Sequence, residues 1–152
     1  MIRSPAGAKA SGVTFMSNPA LALTMPSSPL VCVVDPDPRV RRTVAGLMQA
    51  LGAEVYGYAT AREFLAGLAV AVPVCLIAEA HLPDMTGLAL LQEVRSRGLN
   101  IPTILLSGDA DVTSAVTAMR AGALDFVEKP FIDRVLVAQI RPILELDGQR
   151  PF

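Results

Sequence analysis

The sequence has few of the residues that place a protein outside the cell or within a membrane. Its 152 residues include two cysteines, Cys32 and Cys75. Each lies in an apolar run, which is typical of buried thiols in a reducing compartment rather than of a disulfide framework. Hydrophobic residues make up 52% of the chain, yet no stretch approaches the ~20 uninterrupted apolar residues of a membrane-spanning helix. We therefore expect a cytoplasmic protein without a membrane segment.

Charge of either sign is also not in excess. The 13 basic and 14 acidic residues give a formal net charge of -1, whereas a nucleic-acid-binding surface needs clustered basic charge. A chain of this length has room for one domain with a sizeable core, but not for a further catalytic or DNA-binding domain. We therefore expect protein partners and no direct DNA binding.

Charged residues are scarce near the N-terminus, where Arg3 and Lys9 are the only ones before Asp35. A basic start with an apolar middle resembles a signal peptide, but proline and polar residues interrupt the apolar stretch. We interpret this segment as a flexible arm, or as the result of a start placed too far upstream. The predicted divisions are an arm (1–29), a domain (30–147) and a C-terminal tail (148–152).

Within the predicted domain, short apolar runs alternate with amphipathic stretches. This alternation indicates a parallel sheet covered by helices on both faces, built from five βα units. The predicted strands are 30–34, 54–58, 74–78, 103–106 and 125–128. The predicted helices are 38–51, 61–69, 88–97 and 112–121, with a last one from about residue 133.

Several residues indicate where these helices begin and end. Asp37 followed by Pro38 is typical of a helix start, and so is Asp111. The sequence Thr-Ala-Arg-Glu at 60–63 is a capping box. Pro142 predicts a kink or an early stop in the last helix.

Polar residues follow four of the five predicted strands. Asp35 follows the first strand, Glu79 the third, Ser107 the fourth and Lys129 the fifth. Ligands bind at the carboxyl ends of the strands in sheets of this kind. Two carboxylates, a hydroxyl and an ammonium suit a phosphoryl group, whose charge a metal ion and the lysine offset. Helix capping is the alternative role of the two acids.

The combination of short segments extends this prediction. They are VVDPD at 33–37, CLIAE at 75–79, LPDMTG at 82–87, LLSG at 105–108, AGALDF at 121–126 and EKPF at 128–131. Together they resemble the receiver domain of two-component response regulators, most closely receivers of the nitrogen-fixation regulator type. The resemblance implies a doubly wound, flavodoxin-like (βα)5 fold with strand order 2-1-3-4-5. It also implies a signalling module that is not an enzyme.

The resemblance brings out two departures. In that family an acceptor aspartate ends the third strand, and Glu79 occupies this position. A second acid that helps bind magnesium follows the first strand, and Pro36 occupies that position. The metal set implied for this chain is Asp35, Glu79 and the backbone carbonyl of His81. We therefore expect Mg²⁺ binding to be weakened.

The resemblance also implies a conformational switch formed by Ser107, Phe126 and Lys129. Phe126 lacks the hydroxyl that this aromatic position can carry, and we expect a buried core ring rather than a mobile one. The implied partner is a sensor histidine kinase or another signalling protein, and three arginines that open the first helix are candidates for kinase docking or for a solvated helix face. A homodimer through helix 4, strand 5 and helix 5 is a further expectation, with core packing as the alternative role of the apolar residues there.

The functional hypothesis therefore depends on the glutamate at position 79. A glutamate carries its carboxylate roughly 1.5 Å farther out than an aspartate, where it could contact Lys129 or Ser107 and either mimic a phosphate in part or fix one conformation. We expect a stand-alone, atypical receiver in phosphorelay signalling that acts without phosphorylation. One alternative is a degenerate receiver that is only a protein-interaction module. The other is a haloacid-dehalogenase-type phosphatase with Asp35 as nucleophile, although that class needs a further acidic pair after the lysine.

Overall fold

A computed structural model describes residues 28–109 and 111–148. Most of the predicted N-terminal arm and the C-terminal tail lie outside the described residues. Among the described residues, no helix is both long and apolar enough to cross a bilayer.

Five parallel strands form one sheet in the order β2-β1-β3-β4-β5. This arrangement confirms the predicted fold class and strand order. The strands are β1 (Leu30–Val34), β2 (Glu54–Tyr58), β3 (Cys75–Glu79), β4 (Thr103–Ser107) and β5 (Asp125–Glu128). The predicted bounds of β3 were wrong by one residue, because Glu79 pairs with Leu106 and is the last residue of the strand. Ser107 likewise extends β4, since it pairs with Glu128.

Five helices cover the two faces of the sheet. They are α1 (Pro38–Ala50), α2 (Ala61–Gly67), α3 (Gly87–Ser96), α4 (Val112–Arg120) and α5 (Asp133–Gly148). Of the predicted kink or early stop at Pro142, the early stop is wrong, because α5 continues through the proline. Ile140 and Leu144, on either side of the proline, are buried. The free energy gained by burying them outweighs the loss of the backbone hydrogen bond that Pro142 cannot donate.

Side-chain caps fix the helix starts as the sequence predicts. Asp37 accepts a hydrogen bond from the Arg39 N–H, and Thr60 and Asp111 cap α2 and α4 in the same way. One cap was not predicted. Asp84, in the loop after β3, accepts hydrogen bonds from the Ala61 and Arg62 N–H groups of α2 at 3.1 and 2.9 Å.

The strand side chains alternate between two hydrophobic layers. In β1, Cys32 and Val34 belong to the layer under α2 and α3, whereas Val31 and Val33 belong to the layer under α1 and α5. Cys75 lies in the second layer, so the two cysteines are on opposite faces of the sheet. Both are buried free thiols, as predicted, and the continuous burial of β1, β3 and β4 explains the high hydropathy.

Replacing Asp84 with alanine is expected to cost about 1 kcal/mol of stability at neutral pH, since two N–H groups of α2 lose their acceptor. Burial acts to raise the pKa of Asp84, but its hydrogen bonds outweigh burial and the pKa is lowered. A lowered pKa gives stability that is present above the usual value and lost as pH falls through the folded value. Urea unfolding at neutral and acidic pH should therefore show the variant approaching wild type in acid. Glu145→Ala, at an exposed position of α5, is the control and should stay within about 0.5 kcal/mol.

Candidate functional site

The four predicted polar residues meet at the carboxyl edge of the sheet. Asp35 directly follows β1, Glu79 and Ser107 end β3 and β4, and Lys129 follows β5. Because β1 and β3 are neighbours, the two carboxylates lie side by side. Asp35, Glu79 and Ser107 are 1%, 8% and 0% exposed, so the site is shielded from water and its charges need partners within the protein.

Lys129 bridges the two carboxylates. Its Nζ donates to Asp35 Oδ2 at 2.7 Å and to Glu79 Oε1 at 2.6 Å. The sequence analysis foresaw a contact between Glu79 and Lys129, but not that one ammonium would hold both acids. The Lys129 side chain is 20% exposed, and its ammonium contacts the two buried carboxylates.

The remaining carboxylate oxygens also have donors. The Asp37 N–H donates to Asp35 Oδ1 at 2.9 Å, and the His81 N–H donates to Glu79 Oε2 at 2.7 Å. All four carboxylate oxygens therefore accept a hydrogen bond from the protein. Such complete pairing is what allows charge to persist in a buried site.

The charge of Lys129 is held by its surroundings. Burial acts to lower its pKa, but the hydrogen bonds that it donates to Asp35 and Glu79, together with their negative charges, raise it by more, so the pKa lies above the usual 10.5. The ammonium is thus protonated at neutral pH. The cluster thus joins one cation to two acids through charge-assisted hydrogen bonds.

The backbone around the cluster is closely fixed. Arg41 Nη1 donates to the Asp35 carbonyl at 2.6 Å, which fastens the loop between β1 and α1. On the other side, the Gly87 N–H donates to the Ala80 carbonyl at 2.8 Å. A Cβ at Gly87 would lie 2.7 Å from the Glu79 carbonyl oxygen, so only glycine permits this approach. The sequence analysis had included Gly87 only as the last residue of the segment LPDMTG at 82–87.

Ser107 and Phe126 lie beside the cluster. The Ser107 hydroxyl accepts a hydrogen bond from the Asp109 N–H at 3.1 Å. Glu79 was expected to contact Lys129 or Ser107, and in the structure it contacts Lys129. Phe126 packs against the core as expected, but its ring is half-buried rather than buried. Its ring packs against the core on one side and lines a cavity of about 200 Å³ under α4 on the other, because the small side chains of Ser114 and Ala118 leave this space open.

The structure brings together two of the residues that the resemblance implies for a divalent cation. Asp35 and Glu79 come together, and the Lys129 ammonium lies between them. Asp37 caps α1 and pairs with Arg39. Within the part of the chain that the structure describes, no group of three His, Cys, Asp or Glu side chains could hold a metal ion.

The sequence analysis considered two surfaces for partner contacts, and the structure gives the exposure of their side chains. Val112, Val116 and Met119 of α4 are 80%, 43% and 46% exposed, so core packing does not explain them. The α5 residues Leu136, Ile140 and Leu144, in contrast, are buried. Of the three α1 arginines, Arg39 and Arg42 are exposed, and Arg41 is partly buried by its bond to the Asp35 carbonyl.

Comparison with known proteins identifies this geometry. Residues 31–141 match the family described as response regulator receiver domain. The transcriptional regulatory protein FixJ of Azorhizobium caulinodans is 40% identical over 124 residues, which cover 79% of this chain and 57% of FixJ. Nodulation protein W of Bradyrhizobium diazoefficiens is 35% identical over 121 residues, which cover 80% and 53%. The chain therefore spans about half the length of the curated relatives it matches.

Solved structures agree with the sequence relatives. The crystal structure of FixJ-N has a TM-score of 0.69 and 36% identity, covering 79% of this chain and 96% of that one. A response regulator receiver protein from Pseudoalteromonas atlantica has a TM-score of 0.73 and 35% identity, covering 78% and 99%. The fold, the strand-end residues and these relatives lead to one conclusion: the chain belongs to the response regulator receiver domain family, the signalling modules of two-component systems.

Proposed function

We propose that this receiver signals without phosphoryl transfer to Glu79 and that its site is fixed in one state. The observation that carries the proposal is the Lys129 bridge from Glu79 to Asp35. The curated relatives are longer than the matched segment, so the proposal concerns the receiver itself. It is a proposal for a protein-binding module in the cytoplasm, not for an enzyme.

Phosphorylation of Glu79 would require its carboxylate to be free to attack. Both of its oxygens accept short hydrogen bonds, one from Lys129 and one from the His81 backbone. A lysine that could bind the incoming phosphoryl group is already committed to two acids. The metal that would offset the charge of the donor lacks its second acid, since Pro36 stands in that place.

The Glu79 carboxylate can imitate a phosphoryl group only in part. It carries about one negative charge, compared with about -1.5 to -2 for a phosphate, and it offers fewer acceptor oxygens. It nevertheless binds the lysine that the resemblance assigns to the phosphate. We propose that this contact replaces a switch with a permanent conformation, which a partner then reads.

The exposed apolar side chains of α4 favour a protein partner, and we propose a second copy of the chain as one candidate. Val112, Val116 and Met119 form a stripe at helical spacing, and Leu124 and Val135 are also exposed. Single exposed apolar residues need no explanation, but a stripe of this kind is typical of an interface. A sensor histidine kinase or another signalling protein is the other candidate partner.

The phosphatase alternative has less support. Asp35 would have to be an accessible nucleophile, yet it is 1% exposed and bound to Lys129. Only Asp133 follows the lysine closely, whereas that chemistry needs an acidic pair. The family match also favours a receiver over a hydrolase.

Amide NMR spectra recorded with magnesium and beryllofluoride test the fixed state. We expect the wild-type signals of Ser107, Phe126 and α4 to stay in place, because Lys129 and Glu79 already bind each other. Glu79→Asp is the matched variant, since it shortens the acid by one methylene and reopens the space. Shifts of these signals in the wild-type protein would mean that the site still responds. Signals of Val112, Val116 and Met119 that move with protein concentration alone would support the homodimer.

A further inference from the structure

The helix α4 places its small and large side chains in an unusual way. Ser114 and Ala118, four positions apart on one side of the helix, line the cavity of about 200 Å³ beneath it. The larger apolar side chains of Val112, Val116 and Met119 are exposed instead, although a surface helix normally buries such residues. Ala118 is the one buried residue of α4, so the helix lies over open space rather than over a filled core.

The cavity has an apolar wall and a polar rim. The wall includes the buried side chains of Leu105 and Ala118 and the half-buried ring of Phe126. The rim includes His81 and Thr86, which are both exposed. Among the described residues, no lysine, arginine, aspartate or glutamate lines the cavity. Because an unpaired charge is costly in an apolar site, this lining suits a neutral ligand with an apolar body and one polar end.

The volume of the cavity sets the size of that ligand. A dry apolar cavity of about 150 Å³ in a protein core binds benzene. A cavity of about 200 Å³ therefore has room for one six-membered ring with a small substituent. Phe126 favours an aromatic ring there, because two aromatic rings attract each other at centroid distances of roughly 4.5–7 Å.

The rim offers hydrogen bonds to the polar end of the ligand. A short antiparallel bridge pairs His81 with Thr86, and directly paired residues of antiparallel segments project their side chains to the same side. The Thr86 hydroxyl accepts the Ala89 N–H at 3.0 Å, and its own hydrogen can donate to a ligand oxygen. A neutral His81 imidazole has one nitrogen that can accept from a ligand hydroxyl.

We propose that the cavity under α4 binds a small neutral molecule with one aromatic ring and one hydroxyl, a compound of the phenol class. The ring lies against Phe126, and the hydroxyl lies at the rim with His81 and Thr86. This site uses none of the charged groups of the Lys129 bridge. The proposal can therefore fail while the proposed function stands, and the reverse.

Phenol itself is the probe, titrated into the full-length protein and followed by amide NMR spectra. We expect saturable shifts of the Thr86, Ala118 and Phe126 signals, with nuclear Overhauser contacts between the phenol ring and the Phe126 side chain. Benzoate has the same ring with a negative charge, and no cation lines the cavity to pair with it. It should therefore bind at least about tenfold more weakly than phenol.

Two variants fill the cavity from α4, and each should abolish the phenol shifts. Ala118→Leu fills it from the buried wall, and Ser114→Leu fills it from an exposed position, where a larger side chain leaves the core intact. Ala138→Leu, at an exposed position of α5, is the matched control and should bind phenol as wild type does. Three results would each overturn the proposal: no saturable shifts in wild type, unchanged phenol binding by folded Ser114→Leu, or benzoate bound as tightly as phenol.

Discussion

Lys129→Met is expected to lower the free energy of unfolding by about 3–5 kcal/mol at neutral pH in the absence of metal, the range for breaking a buried ion pair from one side. The side chains have similar length, so the loss comes mainly from charge. Two buried carboxylates, one on Asp35 and one on Glu79, would remain without a cation. Urea unfolding in chelator, followed by circular dichroism, measures the change.

Two further variants separate charge from packing. Adding Glu79→Gln to Lys129→Met should recover part of the loss, because one of the two unpaired charges is removed. Arg97→Met, in the exposed pair with Glu93, should change stability by no more than about 1 kcal/mol. A loss below 1 kcal/mol for Lys129→Met would mean that the acids do not depend on this lysine.

The same variant predicts a pH dependence. The folded pKa of Lys129 is raised above its usual 10.5, so the lysine contributes stability that is fully present below that value. This contribution is lost as pH rises through the folded pKa. The difference between wild type and Lys129→Met should therefore shrink in strongly alkaline solution, where Lys129 loses its charge.

The second large effect is a gain of phosphorylation in Pro36→Asp/Glu79→Asp. The shorter acid leaves room for a phosphoryl group, and the aspartate at position 36 adds the acid that the resemblance assigns to magnesium binding. Incubation with acetyl phosphate and magnesium should convert a protein with no detectable phosphate into one that carries an acid-labile phosphoryl group on the new aspartate at 79. Intact mass spectrometry measures this conversion.

The matched controls replace one property at a time. Pro36→Asn/Glu79→Asp has the shorter acceptor without the added charge, and it should be modified much less. Pro36→Asp alone keeps Glu79, and it should not be modified. A folded double-aspartate variant that gains no phosphate would show that more than these two positions separates this chain from a responsive receiver.

The parts of the structure that were predictable are those set by local sequence. The helix caps Asp37, Thr60 and Asp111 lie within three residues of their N–H partners, so short motifs identify them. The five strands follow from apolar runs that must be buried. The edge where Asp35 and Glu79 meet then follows from parallel strand direction alone.

The parts that were not predictable depend on contacts between distant residues. Asp84 caps a helix that starts 23 residues earlier, and no local pattern records that distance. Lys129 reaches Asp35 across 94 residues, and its choice of both acids over one depends on side-chain geometry. The helix through Pro142 and the half-buried ring of Phe126 likewise depend on what packs around them.

The central claim, that Glu79 is not a phosphoryl acceptor, is tested most directly by the intact mass of the wild-type protein after incubation with acetyl phosphate and magnesium. The account predicts a mass that does not change, under conditions in which Pro36→Asp/Glu79→Asp is modified. An acid-labile phosphoryl group on wild-type Glu79 would contradict it.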